Sequence, residues 1–115
     1  MEINPFTEKR PWGEFRQFTK NVNSTVKTLL IKEGQSFSLQ YHHHRREFWK
    51  ILLGKAEVTI DDSKIFADIG QEFLIPEGTK HRIKALEGDV YVLEISEGIF
   101  DEEDIVRTED EYGRI

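Results

Sequence analysis

Apolar residues in this chain recur at every second position far more often than at the helical interval, and that restricts it to β structure. Successive side chains of a strand point to opposite faces, so a period of two marks one face for a core and one for the outside. Phe37-Ser38-Leu39-Gln40-Tyr41 and Ala56-Glu57-Val58-Thr59-Ile60 alternate in this way, and Val26–Ile31 is rich in β-branched and aliphatic residues. The same reading predicts strands over 48–53, 64–67, 72–75, 81–86 and 90–95. Turn signals fall between them at Glu33-Gly34, Gly54-Lys55, Asp61-Asp62-Ser63, Ile69-Gly70, Pro76-Glu77-Gly78 and Glu87-Gly88. Short strands at such intervals build an all-β sandwich or barrel. The 115 residues fit a single domain, residues 1–115. Its core is expected over about 22–97, with polar arms (1–21 and 98–115) wrapped around it.

With no cysteine there is neither a disulfide framework nor a thiolate ligand or nucleophile. No apolar run has the length of a membrane span and the start lacks a signal pattern, so a cytoplasmic protein without a membrane partner is expected. A formal net charge of −6 and a pI near 5.2 argue against nucleic acid as a partner. The acidity is concentrated in 101–111, DEEDIVRTEDE, while arginines gather near the segments described next, an arrangement that suits a small anion.

His42-His43-His44 is internal, and the alternation puts Gln40 and His42 on one face with Tyr41 on the other. Glu47 follows five residues after His42, and His81 follows a Pro-x-Gly turn. Two imidazoles, a carboxylate and an amide oxygen form a sensible shell for one divalent ion: Zn²⁺ first, with Co²⁺, Mn²⁺, Ni²⁺ or Fe²⁺ as alternatives. Each of the four alone has a plainer explanation as a surface or hydrogen-bonded residue. Their glycine and proline frame is what groups them.

Gly34-x5-Gln40-x-His42-x4-Glu47-x6-Gly54 resembles the first cupin motif, with Gln40 where many cupins carry histidine. Gly70-x5-Pro76-x-Gly78-x2-His81 resembles the second, with Ala85 where many have asparagine. The resemblance implies a double-stranded β-helix, a jelly-roll barrel, in which Gln40, His42, Glu47 and His81 converge on the metal. Arg10-Pro11-Trp12-Gly13-Glu14-Phe15, the stretch Ser38–Trp49, Gly78-Thr79-Lys80-His81-Arg82 and Glu103–Arg114 narrow it further. Together they resemble the type II mannose-6-phosphate isomerase domain of the cupin superfamily. That domain is often fused behind a mannose-1-phosphate guanylyltransferase, which this sequence does not contain.

The resemblance implies a metal-dependent isomerase interconverting mannose 6-phosphate and fructose 6-phosphate through an enediol. The metal would stabilise charge on the substrate oxygens, and a neighbouring base would move the proton. Glu47, His44 and a metal-bound hydroxide are the candidates for that base. Arg45 matches an arginine of the family motif and is expected to be catalytic or to touch substrate. Arg10, Lys80, Arg82, Arg107 and Arg114 are further candidates for the phosphate, since a guanidinium fork suits it. Trp12 and Trp49 are expected to pack rather than to stack on sugar. Phe48 stands where familiar members have histidine, which leaves a non-catalytic sugar-phosphate-binding barrel as the alternative. A small non-haem oxygenase built on His42, Glu47 and His81 is a third reading. Exposed sheet edges favour a homodimer.

Overall fold

A computed structural model describes residues 3–110 and 112–114, and among these the chain is all-β with no helix. The strands are β1 (Phe6–Arg10), β2 (Gly13–Gln17), β3 (Ser24–Ile31), β4 (Leu39–Tyr41), β5 (Arg45–Ile60), β6 (Ser63–Ala67), β7 (Glu72–Ile75), β8 (His81–Gly98) and β9 (Val106–Glu109). Two long strands organise the rest. β5 and β8 pair antiparallel, from Arg45↔Gly98 to Ile60↔His81. One half of this pair is flanked by β7 on β5 and β3 on β8. The other half is flanked by β6 on β5 and β4 on β8, with β9 beyond β4. Each long strand therefore serves both walls of the barrel, as the resemblance to a double-stranded β-helix implies.

The passage from one wall to the other lies where the sequence suggests turns at Gly54-Lys55 and Glu87-Gly88. Neither ends a strand. The register between β5 and β8 shifts from Leu53↔Tyr91 to Lys55↔Glu87, so both are irregularities inside continuous strands. Backbone crowding explains the glycine: Gly54 has φ +92°, and a Cβ there would run into the carbonyl oxygen of Asp89.

Between the walls lie Ile31, Trp49, Ile51, Ala56, Val58, Ala67, Ile75, Ile83, Ala85, Val90 and Val92, all buried. Phe48 and Ile95 face the other way and form a second cluster with Ile3, covered by Phe18 and Leu93. The two polar arms are more ordered than their composition suggests. Among the described residues β1 and β2 make a hairpin that pairs only with itself, and β9 joins the barrel through β4. Trp12, at the hairpin tip, is 73% exposed and does not pack, whereas Trp49 is wholly buried.

Candidate metal centre

β4 leads directly into the histidine run, and the cross-strand pair Gln40↔His81 brings the two cupin-like segments together. His42 follows β4, Glu47 sits near the start of β5 and His81 opens β8. All three residues are at least 98% buried. One ligand atom from each lies within 4.8 Å of the others. His81 Nε2 is 3.0 Å and His42 Nε2 3.8 Å from the same oxygen, Glu47 Oε1.

The backbone fixes which nitrogen each imidazole offers. His42 Nδ1 is 2.6 Å from the carbonyl oxygen of Asp104, and His81 Nδ1 is 2.9 Å from that of Thr79. A carbonyl only accepts, so each Nδ1 carries a hydrogen and each imidazole turns its Nε2 towards Glu47. His81 Nε2 approaches Glu47 Oε1 to 3.0 Å, and neither atom makes a hydrogen bond. Buried polar atoms are rarely left so. A divalent cation would satisfy both. Two ligands of a tetrahedral Zn²⁺ stand about 3.3–3.6 Å apart, a spacing that the observed 3.0 and 3.8 Å bracket. The residues present fit a metal.

Charge in the pocket follows the same arrangement. Burial lowers the pKa of His42, keeping it neutral and able to ligate. Burial alone would raise that of Glu47, but His81, His42 and Arg45 together hold it below the ordinary carboxylic value. Ser96, its cross-strand partner, donates a 3.3 Å hydrogen bond to Glu47 Oε2. The Arg45 guanidinium is buried beside them, 3.5 Å from Glu47 Oε2 and 3.3 Å from His42 Nε2. It also donates to the carbonyl of Asp101 and lies 4.5 Å over the ring of Phe100. Gln40 is half-buried, and its amide oxygen accepts from the hydroxyl of Ser38 at 2.7 Å. A cavity of roughly 200 Å³ opens beside Glu47, lined by Lys27, Gln40, Arg45, Glu94 and Glu102 among others.

Residues 4–110 match the family described as Mannose-6-phosphate isomerase C-terminal. The chain belongs to that family. Among curated relatives, the xanthan biosynthesis protein XanB of Xanthomonas campestris pv. campestris is 39% identical over 107 residues, 91% of this chain and 23% of the relative. An Escherichia coli mannose-1-phosphate guanylyltransferase is 37% identical over 110 residues, again 91% of this chain and 23% of the relative. The chain thus spans about a quarter of the length of these proteins. A cupin protein from Bacteroides fragilis superposes with a TM-score of 0.61 at 26% identity, covering 65% of each chain. The fold is that of a cupin.

As a member of the mannose-6-phosphate isomerase C-terminal family, the chain departs from the familiar pattern at Phe48, and the structure shows where that residue goes. It is buried with Ile3 and Ile95, 5.3 Å from the ring of Phe18, on the face of β5 opposite Glu47 and Trp49. The phosphate candidates are dispersed. Arg10 pairs with Glu8 on the hairpin, Arg82 with Glu109, and Arg114 with Asp110. Lys80 is exposed, and Arg107 on β9 has a buried Nε without a partner. None of the five lines the cavity beside Glu47; Arg45 does, and so does Lys27, which the sequence reading passes over. His44 is exposed outside that cavity, its N–H bonded to the Asp104 carboxylate.

Asp104 and Glu94 are the other residues passed over. Asp104 carries no signal beyond the acidic run that contains it. Glu94 does: it is in phase with Val90, Val92 and Ser96, all on the inner face of β8.

Proposed function

We propose that this chain is a metal-dependent aldose–ketose isomerase acting on mannose 6-phosphate and fructose 6-phosphate. The observation that carries the reading is the convergence of two imidazole nitrogens and a carboxylate on one buried point, in a chain of this family. His42, Glu47 and His81 would hold the ion, with Gln40 as a fourth ligand from the paired strand. When bound, it would act as a Lewis acid for the substrate's carbonyl and hydroxyl oxygens, with Zn²⁺ the first candidate. Arg45 supplies positive charge on the cavity wall, where a sugar phosphate brings negative charge, and Lys27 lies there too, paired with Glu102 at 3.0 Å. Phe48, the residue that favoured a non-catalytic barrel, lies away from the site, which removes that argument.

The test is a coupled isomerase assay on chelated protein and on protein restored with Zn²⁺, Co²⁺, Mn²⁺ or Ni²⁺. Turnover that needs the metal supports the reading, and silence with every metal sinks it. The two-histidine, one-carboxylate set also suits an Fe²⁺ oxygenase, so oxygen consumption by the iron-loaded protein is measured alongside. A homodimer is proposed as well. Its support is a row of exposed apolar side chains in register across three strands, Leu30, Tyr91 and Leu53.

A further inference from the structure

A barrel interior is an unfavourable place for a carboxyl group without a partner. Glu94 is only 8% exposed and belongs to the inner face of β8. It lines the same cavity as Gln40, Arg45 and Glu47, yet is not one of the three residues whose ligand atoms cluster within 4.8 Å. No ion pair engages it among the described residues, although Lys27 and Arg45 line the same cavity and Glu47 and Glu102 add negative charge there. The indole of Trp49, across the strand pair, acts on its carboxyl, but that N–H stops short of a hydrogen bond.

The geometry points to Glu94 as the group that carries the substrate proton in the isomerisation, an assignment that rests on the isomerase reading above. From an aldose, Glu94 removes the hydrogen on C2. The C–H electron pair becomes the C1–C2 double bond, and O1 takes up negative charge. The O2 proton passes to O1, Glu94 returns its proton to C1, and C2–O2 closes as the ketone carbonyl. No atom or electron enters from outside.

The other candidates are less suited. Glu47 would hold the ion through Oε1, and its Oε2 accepts from Ser96 and faces Arg45. His44 is exposed outside the cavity. Glu94 instead faces the cavity from the inner wall, with no ion pair among the described residues to hold its carboxyl.

The test uses the full chain loaded with Zn²⁺. Glu94→Gln keeps the shape and removes the base. Its kcat should fall by about 10²-fold or more. Zn²⁺ affinity, read by competition with a chromogenic chelator, and binding of a non-isomerisable hexitol phosphate, read by calorimetry, should each stay within about threefold of the parent. Glu94→Asp retains the charge but withdraws it by one methylene, and serves if the glutamine variant does not fold; it should lose about tenfold or more in kcat, again with Zn²⁺ affinity kept. Retention of near-parental kcat by the variant overturns the assignment. So does a parallel loss of Zn²⁺ affinity, which would make Glu94 part of the metal shell. A parent inactive with every metal would instead remove the isomerase reading itself.

Discussion

Asp104 holds the histidine run by three hydrogen bonds at once. Its carbonyl accepts from His42 Nδ1 at 2.6 Å, and its carboxylate accepts the backbone N–H groups of His43 at 2.8 Å and His44 at 2.9 Å. Those two N–H groups outweigh the cost of partial burial and keep the carboxyl below its ordinary pKa. The C-terminal arm is therefore part of the candidate metal centre: it aims His42, and through Asp101 it also anchors Arg45.

Loss of that clamp should be felt at the metal before it is felt by the fold. Groups that orient a ligating histidine typically contribute 10–100-fold in metal affinity. Asp104→Ala removes the two carboxylate acceptors and loosens the carbonyl that aims His42, so Zn²⁺ affinity should drop by about tenfold or more. Competition titration checks this, and an unchanged affinity would show that the loop is held by other contacts.

Much of this was legible in the residues, for identifiable reasons. The alternation along β3, β5 and β8 survives in the fold because each wall buries one face, and a one-residue slip would expose it. The spacing Gln40-x-His42-x4-Glu47 and the turn before His81 located three buried residues that converge. The breaks at Gly54 and Glu87-Gly88 misled, because a glycine marks an unusual backbone without saying whether the chain reverses or merely bulges. Hydrogen bonds from Asp104 and the arrival of Lys27 from β3 depend on long-range packing, which no local pattern encodes.

Phe48 offers a check on the family comparison. Its ring is 3% exposed and packed on Phe18, with Ile3 and Ile95 around it. Phe48→His, which restores the residue of familiar relatives, should leave Zn²⁺ affinity unaltered while costing about 1–3 kcal/mol for a polar ring in an apolar cluster. Phe48→Ala should cost about 3–5 kcal/mol. Urea melts paired with metal titration measure both. A change in metal affinity with stability preserved would contradict the outward placement.

Gly54 and Gly98 test the backbone. Gly54 takes φ +92° against the Asp89 carbonyl, and Gly98 takes φ +113° with a Cβ position 2.7 Å from the His44 carbonyl. Alanine at either should destabilise by about 1–3 kcal/mol through strain alone. The two should differ in function. Gly98 lies at the return of β8 past the histidine run, so Gly98→Ala should also weaken Zn²⁺ binding, whereas Gly54→Ala should not. Equal effects on the metal would argue that the bulge and the site are coupled.

The raised pKa of Glu94 makes the stability of the metal-free protein depend on pH in a stated direction. Between the ordinary carboxylic value of 4.5 and about 7, the folded chain retains a proton on Glu94 that the unfolded chain has released. Stability from this group is therefore full below the unfolded pKa and lost as pH rises through about 7. The loss is at most about 3.5 kcal/mol at 1.36 kcal/mol per unit, and it is smaller to the extent that Lys27 and Arg45 settle around the ionised group. Glu94→Gln cannot ionise. Its stability relative to the parent should rise from pH 5 to about 7 and level off above that. Urea unfolding of both chelated proteins across that range measures it, and parallel curves would show that Glu94 is already ionised in the folded chain at pH 5.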